Sequence, residues 1–489
     1  MAANVPAPGE EANHQAWKRM VPYLYDWFAS HALPWPSLAC RWGPVVEEGG
    51  ARSRQRLYLT EQTDGSEPNR LVVVNVDVAR PRTATADHLQ GFTEHSKSLH
   101  VGRPLKTILH PGEVNRLREL PQHPHVVVTH TDSPLLFVWN LITQADRTGV
   151  KSTSAKQQST ADLVLEGHEA DAEFALGASG AAPRVASGGK DTKVLVWDLE
   201  GHGTSLAAPA SGGSGAAGVG TRLQPLQKLE GHSETVEDVC WRPGSTTEIA
   251  SVGDDFSLLL WDLRKGGPPA QNVQRAHGKN DIHCVDWGPQ QDHLLVTGAA
   301  DGTVRVWDRR STGSPAWAFT YHSHAVTGVE WSPHRKGVFA SAGEDRLLCV
   351  WDLEAKTPVE ADGPAATKRP RSATPHQLMF QHAGHRSPVV DFQWNPADSM
   401  ALFSVSDEAG AGGGGTLQMY RISDLVYRPE DEVVAELEQW REYILTGQEA
   451  ALARKPSAAT LTAATTYPSG GGGGDADTDA AGTGAVGAA

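Results

Sequence analysis

The stretch "SGGKDTKVLVWD" (residues 187–198) joins a serine, a turn with an aspartate, an alternating Val-Leu-Val run and a final Trp-Asp pair. Near copies of it, "SVGDDFSLLLWD", "TGAADGTVRVWD" and "SAGEDRLLCVWD", occupy residues 251–262, 297–308 and 341–352. Apolar residues that alternate with period two between Gly and Asp turns predict short antiparallel strands. A unit of four such strands cannot bury its apolar faces alone, so the copies are expected to pack side by side.

Three polar positions recur upstream of the final tryptophan of each copy. An aspartate stands six residues before it, a serine or threonine ten residues before it, and a histidine 27 to 30 residues before it. A Ser-His-Asp set that is repeated in every unit is not the triad of one active site, and no GxSxG elbow accompanies any of them. The sets are therefore interpreted as structural hydrogen-bond tetrads, and no catalytic residue is predicted. The predicted tetrads are His168, Ser187, Asp191 and Trp197; His232, Ser251, Asp255 and Trp261; His277, Thr297, Asp301 and Trp307; and His324, Ser341, Asp345 and Trp351.

Weaker copies extend the repeat on both sides. One ends at Trp139, and a degraded copy runs from His385 to Tyr420 with the insertion "AGAGGGG". The segment "RLYLTEQTDGSEPNRLVVVNVDV" (residues 56–78) lacks the signature but predicts two strands around a turn. The unit resembles the WD40 repeat, and the predicted fold class is all-β, a seven-bladed WD40 β-propeller with an N-terminal and a C-terminal α-helix. The predicted domains are an N-terminal arm and helix (1–34), the propeller (35–428), a C-terminal helix (429–447) and a disordered tail (448–489).

The two terminal helices are predicted from apolar residues at helical spacing. Pro22 interrupts the first pattern and is expected to kink or restart that helix. The first stripe consists of Trp17, Val21, Leu24, Tyr25 and Phe28. The second follows a group of acidic residues and consists of Val433, Leu437, Trp440 and Ile444.

Composition narrows the possible functions. The 489 residues carry a formal net charge of −15, which disfavours direct binding to nucleic acid and favours cationic partners. The four cysteines form no CxxC pair, so no zinc ribbon or redox motif is expected, and no metal or cofactor is predicted. The N-terminus lacks a charged-then-apolar signal and no apolar run reaches membrane-spanning length, so a soluble intracellular protein is expected.

The segments that flank and fill the repeats resemble one family. They include "LYDWFASHALPWPSLACRW" near the start, "HPGEVNRLRELPQ" in the second blade, and "HAGHRSPVVDFQWNP" followed by "SVSDE" near the end. The chain resembles the retinoblastoma-binding, MSI-type histone-binding WD40 proteins, and "YRPEDEVVAELE" resembles the plant FVE-type branch in particular. The resemblance implies a non-enzymatic, nuclear histone chaperone subunit of chromatin assembly factor 1, histone deacetylase co-repressors or Polycomb repressive complex 2. It further implies transcriptional repression and control of flowering time.

The resemblance also implies two histone-binding surfaces. One is a groove beside the N-terminal helix that takes a helix of histone H4 through apolar anchors and carboxylates. The other is an acidic face around the central channel that takes the histone H3 tail. The H4-type groove maps onto Phe28, Leu33, Asp362, Phe380 and Val426. The H3-type face maps onto Glu113, Asn115, Glu237, Asp281 and Asp407, and the alternative is that these are ordinary turn residues.

Departures from the family pattern bear on both surfaces. In "GHEADAEFAL" the acid expected on the H3-type face is out of register, and Ala325 and Thr327 replace an acid and an aromatic residue. The groove loop "EADGPAAT" has fewer acids than the family and is followed by a basic cluster. That cluster, Lys368, Arg369 and Arg371, is either a nuclear import signal or a solvated basic loop.

A second function is suggested by "WDLR" (261–264) and "WDRR" (307–310), which match the WDxR signature of propellers that dock on the adaptor of cullin-4 ubiquitin ligases. The arginines concerned are Arg264 and Arg310, and the alternative is that both are simply solvated. The alternative function is therefore that of a substrate receptor of such a ligase.

Overall fold

Seven β-sheets make up most of this protein. The computed structural model describes residues 10–81, 96–151, 153, 158–170, 174–202, 221–355, 374–407, 414–429, 432–438 and 441. The chain divides into two compact units, residues 1–427 and 428–489. The first unit contains the helix α1 (Glu10–Leu24), all the sheets and two short 3-10 turns, Glu200–His202 and Asp424–Val426.

Each sheet is one blade of four antiparallel strands, and blade 2 has a fifth strand. Blade 1 contains β2 (Cys40–Glu48), β3 (Arg52–Glu61), β4 (Arg70–Ala79) and β5 (Lys106–Leu109), and blade 2 contains β6 (Arg116–Leu120), β7 (His123–His130), β8 (Leu136–Asn140), β9 (Leu163–Leu165) and β13 (Thr221–Leu223). Blade 3 contains β10 (Leu176–Ala178), β11 (Arg184–Gly188), β12 (Lys193–Asp198) and β14 (Gln227–Glu230), and blade 4 contains β15 (Val236–Trp241), β16 (Glu248–Gly253), β17 (Leu258–Asp262) and β18 (Gln271–Val273). Blade 5 contains β19 (Ile282–Trp287), β20 (Leu294–Ala299), β21 (Thr303–Asp308) and β22 (Trp317–Thr320), and blade 6 contains β23 (Val326–Trp331), β24 (Val338–Gly343), β25 (Leu348–Asp352) and β26 (Leu378–His382). Blade 7 contains β27 (Val389–Trp394), β28 (Ala401–Ser406), β29 (Thr416–Ile422) and, from the start of the chain, β1 (Tyr25–Ala32).

The blades close into a ring through their innermost strands. The innermost strand of each blade contacts that of the next blade, and β27 of blade 7 contacts β2 of blade 1. Apolar side chains of neighbouring blades fill the space between them, which explains why one unit alone could not be stable. The seven-bladed propeller predicted from the repeat is confirmed.

Acidic side chains on the inner strands join consecutive blades. In each case a buried carboxylate accepts a backbone N–H from the inner strand of the following blade. Burial raises the pKa of the Asp286 carboxyl to about 7. The three contacts are Asp238 with the N–H of Val285 (3.0 Å), Asp286 with the N–H of Trp331 (2.8 Å), and Glu330 with the N–H of Trp394 (3.0 Å).

The N-terminal segment differs from its prediction. The helix α1 ends at Leu24, and the next eight residues form β1, so Tyr25 and Phe28 lie on a strand and not on the predicted helix. β1 pairs antiparallel with β29 and completes blade 7 with residues from the opposite end of the chain. The arm predicted as residues 1–34 therefore contributes a strand to the propeller. Pro22 stands in the last turn of α1, two residues before its end, where it interrupts little of the helix.

The second unit contains a helix in residues 432–438 and 441. Its start is fixed by a hydrogen bond from the N–H of Val433 to the carbonyl of Pro429, and Arg428 forms an ion pair with Glu436 at 2.8 Å. Trp440, Ile444 and the predicted tail lie outside the described residues. Across the described part of the chain, none of the helices has the length and apolar character needed to span a membrane.

Candidate functional site

The tetrad of blade 4 shows what the repeated polar residues do. The His232 ring contacts the Asp255 carboxylate through Nδ1 at 3.0 Å and the Ser251 hydroxyl through Nε2 at 2.7 Å. The same hydroxyl oxygen accepts the indole N–H of Trp261 at 2.8 Å. Burial alone would raise the pKa of Asp255, but hydrogen bonds from His232 and the backbone hold it below its ordinary value. The tetrad thus satisfies buried polar atoms and connects three strands with the loop before the blade.

Blades 3 and 5 vary this arrangement. In blade 3, the His168 ring contacts Asp191 and Ser187 at 2.9 and 2.7 Å, but the indole N–H of Trp197 donates to the carbonyl of Glu166. In blade 5, Thr303 is inserted between His277 and Asp301, whose nearest atoms are 3.9 Å apart. The hydroxyl of Thr297 still contacts His277 at 2.7 Å and accepts the indole N–H of Trp307 at 2.9 Å.

Blade 6 corrects one predicted tetrad residue. His322, and not His324, contacts Ser341 at 2.8 Å and Asp345 at 3.0 Å, and Trp351 donates to the same serine. His324 is exposed. The physical reason is the length of the connection, since the histidine must precede its hydroxyl partner by 19 residues, as in blades 3 and 4, to reach across the sheet.

The tetrad hydroxyls cannot serve a reaction with a bound substrate. Ser187, Ser251, Thr297 and Ser341 are completely buried, and each is enclosed by side chains of its own blade. A nucleophile must reach a substrate, so these sets hold the blades together and form no active site.

A β-bulge in the inner strand of blades 4–7 turns one residue out of the sheet at the same point. The strand register skips Glu237, His283, Thr327 and Val390. Bulges at the rim of a sheet commonly re-aim a side chain in this way. Each bulged residue stands two positions before the residue that pairs with the tetrad hydroxyl. By the same offset Asn115 and Phe174 occupy this position in blades 2 and 3, so six blades place one such residue each around the ring.

The five residues predicted for the H3-type face all lie at this level and are half-buried. Asn115 and Glu237 are in the set that the bulges define. The Glu113 carboxylate accepts a hydrogen bond from Gln62 at 2.7 Å. Asp281 immediately precedes β19, and Asp407 immediately follows β28. Burial raises the pKa of Asp407 above its ordinary value.

Two residues that the sequence did not single out contribute to this face, and the first of them strengthens its acidic character. Asp254 lies close enough to Asp281 for the two charges to interact: burial, then the charge of Asp281, raises the pKa of Asp254, and His283 opposes the shift. Crowded carboxylates of this kind favour the approach of a cation. Asp254 follows a tetrad strand directly, as Asp407 does, and that shared offset could have identified it.

Phe174 is the second such residue. It is 38% exposed and takes the bulge position of blade 3, between Asn115 of blade 2 and Glu237 of blade 4. Blade 3 has one residue more than blade 4 between its tetrad histidine and this position, which hides the match in the sequence. Thr327 of blade 6 donates its hydroxyl to the carbonyl of Val389 at 2.7 Å and offers no aromatic surface. The face therefore has an aromatic residue, on blade 3 and not on blade 6.

The five residues predicted for the H4-type groove do not form one surface. Phe28 and Phe380 are buried and pack on the Tyr25 ring, with centroids 5.2 and 5.6 Å away, and Val426 borders the same cluster. Leu33 belongs to a different apolar cluster, between blades 7 and 1. Asp362 lies outside the described residues.

The buried part of the predicted groove holds α1 on the propeller. The indole N–H of Trp17 donates to the Tyr25 hydroxyl at 3.0 Å, and that hydroxyl contacts Nδ1 of His382 at 2.5 Å. The solvent-facing apolar surface lies beside this contact, where the N–H of Ser423 donates to the carbonyl of Leu24 at 2.9 Å. The exposed large apolar residues around this junction are Met20, Tyr23 and Leu425.

Arg264 and Arg310 stand at equivalent places in blades 4 and 5. Each guanidinium is held by the aspartate of its own Trp-Asp pair, Asp262 at 2.8 Å and Asp308 at 2.6 Å. Both arginine side chains remain about two-thirds exposed, at 67% and 68%. The two motifs thus present fixed and accessible cations on adjacent blades.

Comparison with known proteins finds similarity along most of the chain. A family model described as the histone-binding protein RBBP4, or a component of the CAF1 complex, matches residues 12–80, and a model of the WD domain, G-beta repeat, matches residues 223–262, 270–308 and 313–352. WD-40 repeat-containing protein MSI4 of Arabidopsis thaliana is 47% identical over 456 residues, covering 90% of this chain and 87% of the relative. WD-40 repeat-containing protein MSI3 of the same plant is 29% identical, covering 86% of this chain and 92% of the relative. Histone acetyltransferase type B subunit 2 of Candida glabrata is 25% identical, covering 83% of this chain and 88% of the relative.

Proposed function

Because the chain belongs to the MSI-type histone-binding WD40 family, we propose that it is a non-enzymatic subunit that presents histones to chromatin-silencing complexes in the nucleus. The complexes proposed are histone deacetylase co-repressors, Polycomb-type complexes and chromatin assembly factors, and the biological outcome proposed is transcriptional repression that includes control of flowering. The single observation that carries this proposal is the set of half-buried acidic residues around the inner strands.

The acidic face suits an extended, cationic peptide such as the histone H3 tail. Glu237, Asp254 and Asp281 lie on blade 4 and the adjoining edge of blade 5, so their charges add in one region. Carboxylates that are partly withdrawn from water attract a cation more strongly than fully solvated ones. Phe174 on the neighbouring blade provides an aromatic surface over which a lysine or arginine can lie.

The surface beside α1 suits an amphipathic helix such as one of histone H4. Met20, Tyr23 and Leu425 are exposed around a rigid junction, and the buried cluster under them fixes the position of α1. Helices commonly bind apolar surfaces of this kind through side chains spaced three and four residues apart.

The proposal is tested by measuring the affinity of the full-length protein for an H3 tail peptide and for the H3–H4 tetramer by calorimetry. Glu237→Gln combined with Asp281→Asn is expected to weaken H3 peptide binding by about tenfold or more, since each lost charge pair contributes roughly 1 kcal/mol. Glu354→Gln, which alters a surface acid paired with Lys336 away from the inner strands, is the matched control and leaves the affinity unchanged. Absence of binding to either histone by the unmodified protein at low ionic strength would refute the proposal.

The exposed WDxR arginines favour a second function, that of a substrate receptor for a cullin-4 ubiquitin ligase. Arg264 and Arg310 are oriented by their own aspartates and are free to contact a partner surface. Arg264→Ala combined with Arg310→Ala is expected to abolish capture of the ligase adaptor and to leave histone affinity unchanged. Retained capture by this variant would remove the support for this function.

A further inference from the structure

Blade 2 has a strand that the repeat does not account for. β13 pairs in parallel with β9, and all other strand pairs that the structure describes are antiparallel. Three strands of blade 3 separate β9 from β13 along the chain. The fifth strand is therefore an addition to the outer edge of a complete four-stranded blade, an edge that in blade 4 ends with β18.

The contacts of β13 define which side chains this edge accepts. The N–H of Glu166 donates to the carbonyl of Leu223 at 2.9 Å, and the Leu223 side chain packs against the apolar cluster that contains Leu165. The guanidinium of Arg222 pairs with the carboxylate of Glu166, and Gln224 donates to the same carboxylate at 3.0 Å. The edge thus takes a basic residue directly followed by an aliphatic one.

The hold of β13 on this edge is weak by its size. Three residues contribute a few backbone hydrogen bonds, each of about 1 kcal/mol net. The ion pair adds little because the Arg222 side chain is 58% exposed. The preceding residues 203–220 are rich in Gly, Ala and Ser, a composition that adds no rigidity to the attachment. Release of β13 therefore costs little and uncovers the N–H and C=O groups of β9.

We propose that the outer edge of β9 is a strand-accepting site that β13 occupies in the free protein. An extended segment of another protein, with an arginine or lysine directly followed by leucine, isoleucine or valine, replaces β13 there. Main-chain hydrogen bonds supply the affinity and Glu166 with the apolar cluster supplies the selectivity, as in other cases of strand addition. This site is separate from the acidic face and from the surface beside α1, so it does not depend on the proposed histone contacts.

Hydrogen–deuterium exchange of the Glu166 amide in the full-length protein tests the proposal. Arg222→Gly combined with Leu223→Gly is expected to speed this exchange by about tenfold or more, because the amide loses its acceptor. A synthetic peptide of residues 219–225, VGTRLQP, added at millimolar concentration, is expected to restore the protection. The same peptide with Arg222→Glu is expected to have no effect. Exchange that is unchanged in the variant, or that the first peptide does not slow, overturns the proposal.

A matched variant tests whether the peptide recognises this edge in particular. Gln271→Gly combined with Val273→Gly weakens β18, the three-residue outer strand of blade 4, and is expected to gain no protection from the peptide. Equal protection of blades 2 and 4 would overturn the proposal. Should the first variant fail to fold, as judged by exchange in β7 and β8, Arg222→Glu alone replaces it, with a smaller increase in exchange and the same requirement for rescue.

Discussion

In blade 4 a histidine, a serine, an aspartate and a tryptophan join the strands, whereas blade 7, which unites the two ends of the chain, keeps only the histidine and the serine of that set. The His385 ring contacts Ser404 at 2.7 Å, but its other nitrogen faces the Thr416 hydroxyl at 3.3 Å instead of a carboxylate. A tyrosine, Tyr420, replaces the tryptophan. The repeat is thus most degraded where closure of the ring depends on residues far apart in sequence.

Other interactions replace the tetrad at this closure. Between blades 7 and 1, Asp391 accepts the N–H of Cys40 at 2.9 Å and forms a buried ion pair with Arg41 at 3.0 Å. Burial alone would lower the pKa of Arg41, but the charge of Asp391 raises it above the ordinary value. Between blades 5 and 6 an aspartate, Asp286, accepts a backbone N–H without a cation beside it in the same hydrogen-bond network. The comparison shows that a repeated fold can use different chemistry at its closing joint.

The largest expected effect tests that joint. Asp391→Ala leaves the buried Arg41 without its main counter-charge and is expected to lower the free energy of unfolding by about 3–5 kcal/mol. Asp286→Ala is the matched variant in a regular joint and is expected to cost only about 1–2 kcal/mol, because no buried cation loses its partner. Urea denaturation measures both. Equal losses would mean that the closing joint is no different from the others.

The acid sensitivity of blade 7 is the next effect in size. Burial, together with the nearby His14, lowers the pKa of His385 to about 3, compared with about 6.5 in an unfolded chain. As pH falls from 6.5 toward 3, the unfolded chain binds a proton at this position before the folded protein does, so stability is present above pH 6.5 and is lost with acidification. His385→Gln is expected to reduce this loss by about 1.4 kcal/mol for each pH unit between 6 and 4. Thermal denaturation across that range checks it. The exposed His324 provides the control His324→Gln, and a profile for His385→Gln that parallels the unmodified protein would contradict the expectation.

The value of a complete tetrad is measured by removing the same hydroxyl from two blades. Ser251→Ala in blade 4 leaves both His232 and Trp261 without a partner and is expected to cost about 2 kcal/mol. Ser404→Ala in blade 7 affects chiefly His385 and is expected to cost about 1 kcal/mol. Chemical denaturation gives both free energies. A larger loss for the blade 7 variant would reverse the proposed difference.

The smallest effect concerns the attachment of α1 to blade 7. Tyr25→Phe keeps the ring packing but removes the hydroxyl shared by Trp17 and His382, and is expected to cost about 1 kcal/mol. The measurement is the melting temperature, with hydrogen exchange in α1 as a second readout. Faster exchange confined to α1 would show that the hydroxyl fixes this helix, whereas a stabilised protein would contradict its assigned role.

Most of the fold follows from the sequence because each blade repeats one pattern of strands and turns. The strand β1 is hidden in the sequence since "YDWFASHA" is buried on both faces, and such a strand has no alternation to distinguish it from a helix. The prediction of His324 in place of His322 is wrong because "HSH" offers two candidates and only the distance across the sheet separates them. The candidate surfaces were less accessible to prediction. The place of Phe174 depends on one additional residue in blade 3, and that of Asp254 on a neighbour in another blade.

The pairing of β1 with β29 has a consequence for biosynthesis. The first strand leaves the ribosome before about 390 further residues have been made, which at roughly 5–20 residues per second takes about 20–80 s. Throughout that time a strand with buried positions on both faces has no partner in the nascent chain. The newborn polypeptide therefore needs shielding from premature association, and its last translated blade is the one that makes the whole molecule foldable.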